Sequence, residues 1–210
     1  NIPLICYDNF QVNYYVRCSR VKKYSSYDYD KFKETGKVVN TSIYRRHSHI
    51  IKRAGVLRGY ENVTVSENFK DFQYWADWAE KQVGFYNKSG GIFWAIDKDI
   101  VGDGTTYHED VCVFVPPILN NFYTKQPDYK LPRGLKLNTI GNYHVRIKEF
   151  GIRINVGTYK GMDEAVRAYQ DARVAYLFKL MDIYGDQVDE RVFPALLLNL
   201  TDSFVVPDIR

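Results

Sequence analysis

The chain has 210 residues, 45% of them hydrophobic, with 29 Lys and Arg against 25 Asp and Glu for a net charge of +4. That length buries one good core or two smaller ones, and we expect two small units. No run of about 18 uncharged apolar residues appears, and "NIPLICYDNF" lacks a basic region ahead of a long apolar one, so neither a membrane span nor a secretory signal is supported. Cys6, Cys18 and Cys112 are odd in number and lack CxxC spacing, which argues against a disulfide framework or a structural zinc site and fits a reducing cytosol.

Along the chain, "IYRRHSHIIKRAGVLRGY" (43–60) carries Arg45, Arg46, Lys52, Arg53 and Arg58 with no acid. Such a helix face either tracks a nucleic-acid backbone or is simply solvated. His47 and His49 are two apart and diverge on a helix, so a shared metal is not expected. "ENFKDFQYWADWAEKQ" (67–82) spaces Phe69, Phe72, Trp75, Trp78 and Ala79 as an amphipathic helix. Strands are expected at 92–98 and 111–115, with Cys112 as a buried apolar residue, and Pro116-Pro117 opens a short helix through Tyr123. The glycines of "VGDGT" serve the turn between those strands; they lack a phosphate-cradling pattern, so no nucleotide cofactor is implied. "NFYTKQPDYKLPR" (121–133) reads as a connector, which divides the chain into units 1–127 and 128–210.

In the second unit "GLKLN", "YHVRIKEF" and "IRINVGTY" alternate with period two, and "GMDEAVRAYQDARVAYLFKLM" follows as a helix with Asp163 and Glu164 at its positive end. The expected class is α+β, with three antiparallel strands covered by one helix. "ERVFPALLLNL" packs back on that unit, broken at Pro194. If Leu135, Leu137, Val145, Ile147, Ile152, Ile154 and Val156 face the helix, then Lys136, Asn138, His144, Arg146, Lys148, Arg153 and Asn155 share the other face. Glu149 falls on the core side or at the strand end. With Arg133 ahead of the first strand, these cations and amides suit phosphates and base edges of double-stranded DNA.

The segment "LPRGLKLNTIGNYHVRIKEFGIRINVGTYKGMDEAVRAYQDARVAYL" resembles the AP2-type DNA-binding domain found attached to phage homing endonucleases. The resemblance covers about 50 residues and implies a sheet that lies in the major groove. "FWAIDKDIVGDGTTYHEDVCVFVPPILNNF" is similar to the ββα-metal site of phage HNH-type homing endonucleases. By that resemblance Asp97 and Asn120 hold one Mg²⁺ or Mn²⁺ per site, and the chain is a DNA endonuclease in the cytoplasm of an infected bacterial cell.

The pattern departs from the HNH group at Lys98, where that group places a histidine. Lys98 is a poor general base at neutral pH, and it is expected to stabilise phosphorane charge instead. Water activation then falls to the metal, to His108 or to His47. The upstream cysteines of related phage proteins are also missing, with "IYRRHSHIIKRAG" and "YENVTVSENFKDF" in their places. Two alternatives follow: a DNA-binding or regulatory protein that has lost cleavage, and an interaction protein using its 16% aromatic residues, although "YSSYDYDKF" also reads as a solvated loop.

Overall fold

The structure, a computed structural model, describes residues 23–123 and 131–202. Cys6, Cys18 and the stretch 124–130 of the expected connector lie outside the described residues. Helix α1 (Tyr29–Thr35) starts where Asp28 accepts a hydrogen bond from Lys31 N–H, so part of "YSSYDYDKF" is helical. Helix α2 (Ser42–Arg53) is capped by Thr41 and buries His47 and Ile50. Strand β1 (Thr64–Val65) pairs in parallel with β5 (Thr106–Tyr107).

The helix expected over 67–82 forms as two pieces, α3 (Glu67–Lys70) and α4 (Phe72–Glu80). Asp71 divides them, because its carboxylate accepts from Gln73 and Tyr74 N–H and so begins a new helix. The strand expected over 92–98 is likewise interrupted. β2 (Lys88–Ser89) and β3 (Ile92–Phe93) form a hairpin, Trp94 N–H turns away to Asn87 O, and β4 (Ala95–Asp97) then pairs antiparallel with β6 (Val113–Val115). Helix α5 (Pro117–Tyr123) follows, which completes a strand, loop, strand, helix order.

The C-terminal part is a sheet of order β7 (Leu135–Leu137), β8 (Tyr143–Glu149), β9 (Ile152–Tyr159), all antiparallel, covered by α6 (Met162–Tyr184). Helix α7 (Val192–Asp202) runs through Pro194 without the expected break. Pro194 is its third residue, inside the first turn, where a missing N–H costs no helical hydrogen bond. Among the described residues the protein is thus mixed α+β, with seven helices and one three-stranded antiparallel sheet.

Two hydrophobic clusters hold these elements. One packs Ile50, Phe69, Trp75, Ala79, Phe85, Tyr107, Cys112 and Phe114. The other joins Trp94, Val113, Val115, Leu119 and Phe122 to Ile147, Tyr176, Leu177, Leu180, Val192 and Leu196. Strand β6 explains its own apolar sequence: alternation sends Cys112 and Phe114 into the first cluster and Val113 and Val115 into the second, so both faces are buried. The second cluster spans residues before and after 124–130, so the ββα segment and the sheet-plus-helix unit pack on each other.

Candidate nucleic-acid interface and ββα segment

The register of β8 and β9 fixes which side chains share a face. Arg146 lies opposite Asn155, Lys148 opposite Arg153, and Lys136 opposite His144. Lys136, Arg146, Lys148, Arg153 and Asn155 are exposed, and none of the four cations has a carboxylate partner among the described residues. Glu149, at the end of β8, is turned away to Lys179 Nζ at 2.7 Å. β8 and β9, the two long strands of the sheet, run side by side about 4.8 Å apart as a ribbon along one edge of it.

A β-bulge alters the simple alternation. Val145 pairs with Gly157 and Arg146 with Asn155, leaving Val156 as the extra residue. Beyond it the faces exchange, so Thr158 lies opposite His144 and its hydroxyl is 2.7 Å from His144 Nδ1. Thr158 therefore belongs to the face, which strict period two does not give; the signal in the sequence is Gly157 inside a strand. The opposite side also differs from expectation. Leu137, Ile152 and Ile154 do lie on the helix side by register, but they remain 47%, 65% and 38% exposed because α6 covers chiefly β8.

The β8–β9 connection is a two-residue turn with φ +47° at Phe150 and +86° at Gly151, as a type I′ hairpin requires. A bulky residue rarely adopts that φ. Phe150 is held there by Tyr176, whose hydroxyl accepts from Phe150 N–H at 2.9 Å and whose ring meets the phenyl edge-on at 5.2 Å.

Three of the residues expected to bind DNA have polar atoms engaged within the fold. Asn138 Oδ1 accepts from Ile140 and Asn142 N–H and so closes the β7–β8 loop, leaving Nδ2 directed at His144 Nε2. Arg46 donates to Phe85 O at 2.8 Å and Trp94 O at 3.1 Å, with its guanidinium 4.1 Å from the centre of the Phe85 ring; burial lowers its pKa to about 10. Arg53 donates to the Tyr107 hydroxyl and stacks 4.7 Å over Tyr60. Arg133 is half-buried and acts electrostatically on Tyr169 and Arg173 of α6, toward the helix side of the sheet. Arg45 remains exposed on α2.

In the ββα segment, Asp97 ends β4 with 4% exposure, and its Oδ1 accepts from the N–H groups of Asp99 at 2.9 Å and Ile100 at 2.8 Å. Burial pushes this carboxyl above the usual carboxylate range, a shift that the Ile100 hydrogen bond opposes. Lys98 is also only 4% exposed. Its Nζ lies 3.0 Å from Asp99 Oδ1 and 5.3 and 5.6 Å from the ring centres of Tyr60 and Tyr107. Lys98 is thus enclosed, with its ammonium group engaged by Asp99 and the two tyrosine rings. Gly102 is required beneath it, since a Cβ there would lie 2.6 Å from Lys98 O.

The two histidines considered for water activation have different surroundings. His47 Nε2 donates to Phe69 O at 2.8 Å and stacks on Phe72 and Trp75, a core position where burial lowers its pKa. His108 Nδ1 accepts from Asp110 N–H, and its ring lies beside the carboxylates of Glu109 and Asp110. The Cys112 thiol is buried and its pKa is pushed up to about 12, as an inert core residue requires.

In α5, burial, together with the Asp99 and Asp97 carboxylates, raises the pKa of Tyr123, and Asn120 lies one turn earlier on the same helix face. Among the described residues no three His, Cys, Asp or Glu side chains gather to hold a metal ion. Asp97 and Asn120 each carry an oxygen donor of the hard kind that Mg²⁺ takes together with waters and substrate phosphates. They do not make a closed protein cage. Among the described residues no helix is long and apolar enough to cross a membrane. Comparison of the chain with family models, with curated proteins and with solved structures gives no match.

Proposed function

We propose that this chain is a phage-type DNA endonuclease of the HNH homing class, acting in the cytoplasm of an infected bacterial cell, in which the β8–β9 ribbon docks in the major groove of double-stranded DNA. The observation that carries the proposal is the ribbon face itself, where Lys136, Arg146, Lys148 and Arg153 are exposed and free of carboxylate partners among the described residues. Such cations neutralise phosphates or take guanine edges, while Asn155 opposite Arg146 suits adenine. On this reading Asp97 and Asn120 would hold one Mg²⁺ or Mn²⁺, which would polarise the scissile phosphate and lower the pKa of a bound water. Asp97 is oriented by its two backbone hydrogen bonds, and Lys98, beside the Tyr60 and Tyr107 rings, fixes the turn by holding the Asp99 carboxylate. Of the histidines considered for water activation, His108 is the one outside the core, on the turn between β5 and β6.

Incubation with supercoiled plasmid or phage DNA and Mg²⁺ or Mn²⁺ tests the proposal. Nicking that disappears in Asp97→Asn supports it; absence of nicking by the parent protein, or nicking unchanged by Asp97→Asn, contradicts it. A second reading, a DNA-binding or regulatory protein that does not cleave, is favoured by the enclosed Lys98 at the position of the expected histidine. It predicts salt-sensitive DNA binding with no effect of added metal.

A further inference from the structure

The two candidate DNA-contacting regions, the ribbon and the Asp97 segment, are separated in sequence by the connector. Their relative position, however, is set by packing. Leu119 and Phe122 of α5 sit in one cluster with Tyr176, Leu177 and Leu180 of α6, and Trp94 meets Tyr184 edge-on at 6.0 Å. Arg173 reaches across from α6, its guanidinium 3.7 Å from the centre of the Phe122 ring and donating to Phe122 O at 2.7 Å, at the carbonyl end of α5. Arg173 is half-buried in doing so, and that burial lowers its pKa. A second tie is Arg191, ahead of α7, which donates to Asp110 O in the loop before β6. Helix α6 therefore touches the sheet with one side and the ββα segment with another.

We infer that α6 is a ruler: it holds the Asp97 site at a fixed offset from the DNA contacted by the ribbon, and Arg173 and Phe122 are the positioning residues. The consequence for cleavage rests on the proposed function; the rigid geometry does not. A tethered-module protein would cut over a spread of positions that grows with connector length. This chain is expected to cut at one offset whatever the length of 124–130.

The test uses the full chain with Cys6→Ser and Cys18→Ser, leaving buried Cys112, and spin labels at Ile92→Cys on β3 and Asp182→Cys, an exposed position of α6. Electron–electron distance measurement is expected to give one narrow distribution, unchanged by a short Gly-Ser insertion after Gln126. Arg173→Ala with Phe122→Ala is expected to broaden it while helical circular dichroism is retained. A distribution that broadens with the insertion alone overturns the inference, as does one left narrow by the double substitution. On DNA, the insertion is expected to leave the cut position relative to the ribbon footprint unmoved, and a moved cut overturns the ruler. If no cut occurs while the distances behave as expected, the endonuclease reading fails and the ruler stands.

Discussion

The ribbon face and the Asp97–Asp99 turn are both dense in charge, yet the fold treats them oppositely. On the ribbon, Lys136, Arg146, Lys148 and Arg153 are left in water with no carboxylate among the described residues to pair with. In the turn, every charge is engaged internally. Asp97 closes backbone hydrogen bonds, Lys98 is enclosed by two tyrosines, and Asp99 faces Lys98. A charged side chain is thus available for a partner only through the polar atoms that the fold has not already used; in Asp97 the two backbone hydrogen bonds both go to Oδ1. Arg46 and Arg146 show the same contrast within one residue type, the first holding two carbonyls and the second free in solvent.

The strongest response to substitution is expected in the core that joins the two regions. Phe122→Ala should cost roughly 3–5 kcal/mol and Leu180→Ala roughly 2–5 kcal/mol. Denaturant unfolding followed by circular dichroism and by tryptophan fluorescence should give coincident transitions, since Trp94 and the sheet share that core; separated transitions would show that the two regions do not form one body. Next, Arg146→Ala and Arg153→Ala should each weaken double-stranded DNA binding by roughly 1–3 kcal/mol with little loss of stability. Arg46→Ala should do the reverse, losing stability while the DNA affinity of the folded fraction is kept.

Substitutions inside the turn should have more modest effects. Asp97→Ala strands two backbone N–H groups and should cost roughly 1–3 kcal/mol, whereas Asp97→Asn keeps the acceptor and should cost well under that, both read from urea midpoints. The weakest effect expected is a pH dependence. His47 binds its proton in the unfolded chain near pH 6.5 but, being buried, only at lower pH when folded. The unfolded state thus holds more protons in that window, so stability should fall as pH drops below about 6.5. His47→Gln, which keeps a donor for Phe69 O, should flatten the dependence in urea titrations at several pH values.

Much of the scaffold was legible. Alternation gave β8 and β9 and the cationic side of the ribbon, because one face of that sheet is buried under α6 and the other is wet. The ββα order was legible from proline at a helix start and an apolar run before it. What escaped has local causes. Asp71 as a cap divided a continuous aromatic pattern into two helices, and a bulge at Val156 moved Thr158 onto the ribbon face. The roles of Arg46, Arg53 and Lys98 were not readable, since their partners are carbonyls and aromatic rings distant in sequence. His47 and Asn138 likewise spend their polar atoms on Phe69 O and on a loop, which composition does not reveal.

The proposed function depends on the ribbon binding double-stranded DNA through cations that have no carboxylate partner among the described residues. Fluorescence anisotropy with a labelled duplex, over a series of salt concentrations, decides the matter. With four Lys or Arg on the face, log K should fall against log salt with a slope of about −3 to −4, and Arg146→Ala with Arg153→Ala should reduce that slope by about 2. Binding that is absent, or a slope that the double substitution leaves unchanged, would contradict that role for the ribbon.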